Sequence, residues 1–287
     1  MSKRTVGVIG GSGLYALEGL AQVEEHRVET TFGAPSDAVV SGVLGDTRLL
    51  FLPRHGRGHR IPPHQINYRA NILALKQLGA EQILSVSAVG SMKESIRPGD
   101  MVIVDQFIDR TRNRPSTFFE DLGVVAHVEF AEPVDAALAE ALYRATVETG
   151  ARVHRGGTYV CIEGPQFSTR AESHLYRSWG VSVVGMTNLP EARLAREAEL
   201  PYATLALATD YDCWHDGHAS VSVEGVLEVM RKNIAAAKAI VAAVAPILPD
   251  PSKSPATRAL QHAILTGPEH ISEQARAKLA PLIGRYL

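Results

Sequence analysis

A chain of 287 residues with 45% hydrophobic content is long enough to bury one large core or two small ones. Its formal net charge of −2 provides no strongly positive surface, so we expect no nucleic-acid partner. Two cysteines, Cys161 and Cys213, are too few for a disulfide framework and suit a reducing compartment. No apolar run approaches the roughly 20 residues that span a bilayer, and glycines interrupt the first apolar stretch. We therefore expect no membrane association, no secretion signal and a cytoplasmic location.

Short apolar runs alternate with helical patterns along the chain, which is typical of an α/β sheet protein. The predicted strands are Thr5–Ile9, Val39–Leu44, Arg48–Leu52, Gln82–Val89, Met101–Val104, Thr158–Ile162, Val181–Val184 and Tyr202–Ala208. The second and third of these flank a Gly45-Asp46 turn, which predicts a hairpin and therefore a mixed sheet.

Helices are predicted from helical spacing and from residues that begin or end helices. One spans Asn67–Leu78 and is ended by Gly79. A second begins at Pro133 and runs to about Glu148. The longest follows an N-cap at Ser222. Its apolar stripe consists of Val223, Val226, Leu227, Met230, Ile234 and Val241.

The strands follow one another without a change in composition, so we expect one α/β domain with a central mixed sheet flanked by helices. Its main part is expected to be residues 1–248. The prolines Pro249, Pro251 and Pro255 predict a linker, so residues 249–287 should form a linker and a helical tail packed on the same domain.

The first candidate site is Gly10-Gly11-Ser12-Gly13, where the backbone and a hydroxyl can approach an anion. Gly11 to Ala16 also matches the glycine pattern of dinucleotide-binding loops. That pattern requires a helix and an acid about 20 residues on, whereas the expected helix carries Gly19 and Glu29 is only loosely placed. A glycine turn without a ligand is a further alternative.

Two more candidate segments follow predicted strands, where open α/β sheets bind ligands. Pro53 to Arg60 is rich in arginine, whose planar group binds phosphate oxygens in pairs; a solvated basic loop is the alternative. A zinc site from His55, His59 and His64 is not expected, because no cysteine or carboxylate completes it. Ser87 to Ser91 predicts another close approach of the backbone to a ligand, although a plain exit from the strand is an equal alternative.

The segment Glu163 to Ser173 contains a Gly-Pro turn and residues that begin a helix. Ser168 or Thr169 can cap that helix, with Glu172 nearby. Capping does not explain Phe167, which lies in the turn and not on an apolar helix face. An exposed ring at this place offers a stacking surface for a flat ligand.

The segment Thr209 to Trp214 places Asp210 and Asp212 at the end of a predicted strand. In an extended chain these two side chains point to the same side of the backbone. Repulsion between them would raise one pKa and provide a proton donor near neutral pH. The alternatives are a polar turn and a metal site. A polar turn alone would require neither a pair of acids nor their position at the end of a strand.

These segments resemble the methylthioadenosine phosphorylase branch of the trimeric purine nucleoside phosphorylases. The resemblance covers about residues 5–247, and the order and spacing of its motifs are specific although each motif alone is weak. They are Gly10-Gly11-Ser12-Gly13-Leu14, Arg54-His55-Gly56-Arg57, Asn67 to Asn71, Arg97-Pro98-Gly99-Asp100, Asp105 to Thr111, Glu163 to Ser168 and Thr209 to Trp214.

The resemblance implies roles for residues of these segments. The implied phosphate site consists of Ser12, Arg54, His55, Ser87, Ala88 and Thr187, with Ser168 nearby. The implied nucleoside site consists of Met186 at the ribose, Phe167 stacked on the base, Thr209, Asp210 and Asp212 at the base, and Val221, Val223 and Leu227 at the 5′ group. His127 is implied to reach this pocket from a neighbouring subunit.

The implied reaction is phosphorolysis of 5′-methylthioadenosine to adenine and 5-methylthioribose 1-phosphate by a homotrimer, with phosphate as co-substrate and without metal or cofactor. Relatives that cleave inosine and guanosine have Glu in place of Ser168 and Asn in place of Asp210. A carboxylate accepts from the N6 amine of adenine, which favours adenine here. We expect Asp210 to be the acid and Asp212 to bind N6. The alternatives are a 6-oxopurine nucleoside phosphorylase, a ribosidase that uses water, and a nucleotide-binding regulatory protein.

Overall fold

The structure, a computed structural model, describes residues 4–11, 13–14, 17–215 and 223–287, with side chains from residue 228 onward in the last range. Within these ranges no helix combines the length and the apolar character needed to span a bilayer. The described strands form one sheet. They are β1 Arg4–Gly10, β2 Ala21–His26, β3 Val39–Leu44, β4 Thr47–Pro53, β5 Gln82–Ser91, β6 Met101–Ile103, β7 Gln106–Arg110, β8 Val153–Arg155, β9 Thr158–Ile162, β10 Val183–Gly185 and β11 Tyr202–Asp210.

The sheet is mixed, as the sequence predicts. Strand β1 lies between β4 and β5 and is parallel to both, and β5 is also parallel to β11. Strands β3 and β4 form the predicted antiparallel hairpin. Strand β10 is antiparallel to β5 but parallel to β9. The carboxyl ends of β1, β4, β5 and β11 therefore meet at one edge of the sheet.

The helices cover both faces of this sheet. They are α1 Tyr68–Gln77, α2 Ala136–Glu148, α3 Arg170–Ser178, α4 Asn188–Glu197, α5 Val223–Val244 and α6 Glu273–Ile283. The prediction that α2 begins at Pro133 is wrong, because the Asp135 side chain accepts from the Leu138 N–H and caps the helix three residues further on. The predicted N-cap Ser222 lies outside the described residues.

The two larger parts of the core lie on opposite faces of the sheet, because alternate residues of each strand point to opposite faces, and a smaller third cluster includes Val184 and Trp214. In β4, Leu50 and Leu52 pack on one side, whereas Leu49 and Phe51 pack on the other. Helices α1, α4 and α6 cover the first side, and helices α2 and α5 cover the second. Leu279 of the C-terminal segment is buried in the first part of the core. The division into residues 1–248 and 249–287 stays a prediction.

Candidate active site

Several of the predicted site segments converge where the parallel strands end. The backbone N–H of Arg54 donates to the Gly10 carbonyl oxygen at 2.9 Å, which joins the ends of β4 and β1. Gly90 in β5 lies so close to β11 that a β carbon there would be 3.1 Å from Asp210 Oδ1. Four other predicted positions fall outside what is described. These are Ser12 and Val221, and the side chains of Val223 and Leu227.

Arg54 is buried and bound mainly to protein atoms. Its Nε donates to Glu191 Oε2 at 2.7 Å, and its Nη2 donates to Glu191 Oε1 at 3.0 Å. Ser85 Oγ and the Val86 carbonyl oxygen accept two further bonds. These contacts use four of the five guanidinium N–H groups, and the one that remains is on Nη1. The paired contact of this guanidinium is thus made with Glu191, and the expectation that Arg54 binds phosphate stays a prediction.

Glu191 belongs to the site although none of the sequence motifs includes it. Besides Arg54, its carboxylate accepts from Ser85 Oγ at 2.8 Å and from Tyr202 Oη at 2.9 Å. Burial lowers the pKa of Arg54, but the carboxylate of Glu191 outweighs burial and the pKa is raised. Arg54 thus keeps its positive charge in a site where both partners of the ion pair are almost fully buried.

His55 is neutral in this environment. Its pKa is lowered to about 4, mainly by burial and to a smaller extent by the positive charge of Arg54, against the opposing effect of its bond to Ile61. Its Nδ1 lies 2.8 Å from the Ile61 carbonyl oxygen. Since a carbonyl only accepts, Nδ1 carries the proton, and Nε2 is left with a lone pair.

Two hydroxyls of the predicted phosphate site lie together. Ser87 Oγ is 3.3 Å from Thr187 Oγ1 and 3.4 Å from Tyr159 Oη. Thr187 occupies the N-cap position of α4, but its side chain makes no cap bond. Ala88 follows Ser87 in β5 and its carbonyl oxygen lies 3.4 Å from Ser87 Oγ. These buried hydroxyls form a polar surface beside the end of β5.

Tyr159 is a second residue that the motifs do not include. A β carbon at Gly185 would lie 2.0 Å from Tyr159 Oη, so the hydroxyl occupies space that any other residue at position 185 would fill. The Thr187 N–H donates to the same hydroxyl at 3.4 Å. Tyr159 therefore holds the segment that carries Met186 and Thr187 against the end of β5.

The turn that carries Phe167 has the predicted form. Thr169 caps α3 and forms a reciprocal capping box with Glu172. The Phe167 ring is 54% exposed, as expected for a stacking surface. A β carbon at Gly164 would lie 2.6 Å from Met186 Sδ, so the turn packs directly on the Met186 side chain. The structure thus places Met186, implied at the ribose, against the turn that carries Phe167, implied at the base.

The two aspartates lie side by side, but not in the predicted geometry. Asp212 has a φ of +52°, so the chain turns and is not extended. Its N–H donates to Asp210 Oδ1 at 2.7 Å, and Thr209 Oγ1 donates to Asp210 Oδ2 at 2.7 Å. The Cys213 thiol donates to the Ser168 carbonyl oxygen at 3.3 Å, so Ser168 lies beside this turn.

Both aspartates have a raised pKa, and in each the main cause is burial. Repulsion from Asp210 is a smaller cause for Asp212, behind burial and an opposing hydrogen bond from Ser173. The predicted direction is therefore confirmed, whereas the predicted cause, repulsion, contributes only at Asp212 and is smaller than burial. Among the described residues no group of His, Cys, Asp and Glu side chains has the arrangement of a metal site.

His127 lies far from these residues within its own chain. It is exposed, and its N–H donates to the Ala263 carbonyl oxygen at 2.9 Å. It lines a cavity of about 1120 Å³ together with Gln82 and Pro201. Because Gln82 begins β5 and Pro201 precedes β11, this cavity is at the amino ends of the strands. His127 and Asp210 therefore lie at opposite edges of the sheet.

The fold and this site together define a class of protein. The family model of the phosphorylase superfamily matches residues 5–246, and the chain belongs to this superfamily. It is 56% identical over 286 residues to the S-methyl-5′-thioadenosine phosphorylase of Geobacter sulfurreducens, covering 99% of this chain and 100% of that relative.

Solved structures agree with this assignment. The crystal structure of a methylthioadenosine phosphorylase from an antarctic soil metagenomic library has a TM-score of 0.92 and 46% identity, covering 98% of this chain and 99% of that one. The methylthioadenosine phosphorylase from Schistosoma mansoni in complex with adenine has a TM-score of 0.83 and 36% identity, covering 98% of both chains.

Proposed function

We propose that this chain cleaves 5′-methylthioadenosine with inorganic phosphate and releases adenine and 5-methylthioribose 1-phosphate. The observation that carries the proposal is the Asp210–Asp212 turn, with Asp210 half-buried and Asp212 buried, at the same edge of the sheet as the Ser87–Thr187 hydroxyl pair. The first offers acids to a leaving base, and the second offers donors to an anion. The relatives named for this activity match nearly the whole chain.

The reaction requires a positioned nucleophile and a protonated leaving group. Phosphate is held by the hydroxyls of Ser87 and Thr187 and by the remaining Nη1 N–H of Arg54. One of its oxygens attacks C1′ of the ribose as the C1′–N9 bond breaks, through a sugar with oxocarbenium character. The electron pair of that bond passes to the base, and the acid Asp210 donates its proton to N7 of adenine. Burial favours the protonated form that this step requires.

Asp212 accepts from the N6 amine of adenine in this arrangement, while the exposed face of Phe167 stacks on the ring. A 6-oxopurine would place its O6 acceptor against the carboxylate, which costs about 1–3 kcal/mol for two buried acceptors. The adenine nucleoside is therefore the better substrate, and the 6-oxopurine phosphorylase is the alternative to be tested.

The proposal includes a homotrimer whose sites are completed by His127 of a neighbouring subunit. The support is its exposure and its position at the opposite edge of the sheet from Asp210. No other cofactor or metal is required when phosphate is the nucleophile. We place the enzyme in the cytoplasm, in the salvage of purines and methionine; its two unpaired cysteines suit a reducing compartment.

The decisive experiment measures release of adenine from 5′-methylthioadenosine with and without phosphate. We expect release to depend strictly on phosphate, and equal release in phosphate-free buffer would make the enzyme a hydrolase. The same assay with methylthioinosine tests the base. We expect kcat/KM to favour methylthioadenosine by about tenfold to a few hundredfold. A ratio of one or below would replace the proposal with the 6-oxopurine alternative.

A further inference from the structure

Arg114 is a buried arginine that belongs to none of the segments used above. It follows β7 and is 7% exposed. Its Nη1 donates to the carbonyl oxygens of Met186 at 2.7 Å and Leu189 at 3.1 Å. Its Nη2 donates to the carbonyl oxygen of Glu163, and its Nε donates to Glu163 Oε2 at 3.1 Å. One guanidinium thus binds the backbone of two segments that are distant in sequence.

These two segments carry different parts of the candidate site. Glu163 begins the turn that presents Phe167, the proposed stacking surface for the base. Met186 precedes Thr187, whose hydroxyl lies 3.3 Å from Ser87 Oγ at the proposed phosphate position. Arg114 therefore connects the base side of the site with the phosphate side.

The chemistry of the side chain suits this bridging. A guanidinium is planar and presents five N–H groups in fixed directions, so it can bind several carbonyl oxygens at once. Tyr68 Oη also lies 3.1 Å from Nη1, so the two N–H groups of that nitrogen are shared among three acceptors and the group is held from the side of α1 as well. Counted without its backbone, the Arg114 side chain is only 1% exposed. A lysine ammonium keeps the charge but lacks the fork that reaches both segments.

We propose that Arg114 is a positioning residue that fixes the Glu163–Phe167 turn and the Met186–Leu189 segment relative to each other before either substrate binds. This inference rests on the proposed function for the identity of the two substrates. Without Arg114 each substrate has to order its own segment on binding, and the base and the nucleophile are no longer held at one distance. Misplacement of this kind lowers the rate as well as the affinity.

The test is the substitution Arg114→Lys, compared with Arg285→Lys as a matched control. Arg285 pairs with Glu199 and the Thr257 carbonyl oxygen in the C-terminal segment, away from the site. For Arg114→Lys we expect the KM values for both nucleoside and phosphate to rise about tenfold and kcat to fall roughly 100-fold. For Arg285→Lys we expect a lower Tm with both KM values unchanged.

Three outcomes would overturn the proposal: unchanged KM values in Arg114→Lys, a rise for only one substrate, or the same rise in the control. If Arg114→Lys does not fold, the substitution Glu163→Gln weakens one contact of the same bridge. It should raise both KM values by a smaller factor, and a rise in neither KM would count against bridging. Thermal shifts caused by adenine and by phosphate give the same comparison without turnover. The inference therefore remains testable if the wild-type chain does not cleave methylthioadenosine.

Discussion

Replacing Glu191 by Gln removes the negative charge that neutralises Arg54, while the size and shape of the side chain stay almost the same. The carboxylate of Glu191 accepts two bonds from Arg54, one from Ser85 and one from Tyr202. A glutamine keeps one oxygen as an acceptor, and its NH₂ group faces donors at the other position. The variant is therefore left with an uncompensated guanidinium in a site where Arg54 is 2% exposed.

Breaking a buried ion pair from one side costs about 3–5 kcal/mol. For a chain of this length that corresponds to a fall in Tm of roughly 6 °C or more. The second expectation concerns phosphate. An anion bound beside Arg54 supplies the negative charge that the Glu191→Gln variant lacks, so phosphate should stabilise the variant more than it stabilises the wild-type protein.

The assay is thermal unfolding of wild type, Glu191→Gln and the control Glu199→Gln, each with and without phosphate. Glu199 is also buried, but its arginine partner Arg285 is 57% exposed, so losing that pair should cost less. The control should show no added response to phosphate. A Glu191→Gln variant as stable as wild type, or one with a smaller phosphate shift, would show that Glu191 does not neutralise Arg54.

Two further predictions concern His55 and the oligomer. Because its pKa falls to about 4 in the folded protein, the unfolded chain binds a proton that the folded chain lacks between about pH 6.5 and pH 4. The free energy of unfolding should therefore fall as the pH is lowered through this range, by up to about 1.4 kcal/mol per pH unit from this residue. Urea unfolding of His55→Gln should show a correspondingly smaller fall, and equal slopes would contradict a neutral His55. Light scattering should give three times the mass of one chain, and a fully active monomer would refute the composite site.

The convergence of the site could be predicted because it follows from strand direction. Gly10, Arg54, Ser87 and Asp210 each lie at or near the end of a predicted strand, and parallel strands bring such ends to one edge of a sheet. Their contacts could not be predicted in the same way. Arginine is a residue type that often binds phosphate. Whether the guanidinium of Arg54 contacts phosphate or a protein carboxylate, however, depends on which helix packs against it.

That helix, α4, was not predicted, and its burial explains why. Glu191 and Glu197 are both buried, so the helix does not show one apolar and one polar face. Strand β2 was not predicted for the opposite reason. Val23 and its neighbours in β2 are almost all exposed, so no alternation of apolar and polar residues marks the strand.

The aspartate pair shows how a correct expectation can follow from an incorrect geometry. An Asp-x-Asp sequence at a strand end is compatible with an extended chain. It is equally compatible with a turn in which the carboxylate of the first aspartate accepts from the backbone N–H of the second. Aspartate tolerates positive φ better than most residues, and Gly90 leaves room for both side chains. The turn leaves Asp210 half-buried at the end of β11, and this burial raises its pKa without help from repulsion. A variant at Asp212 should therefore leave the raised pKa of Asp210 largely in place, because the burial of Asp210 comes from the end of β11 and not from its neighbour.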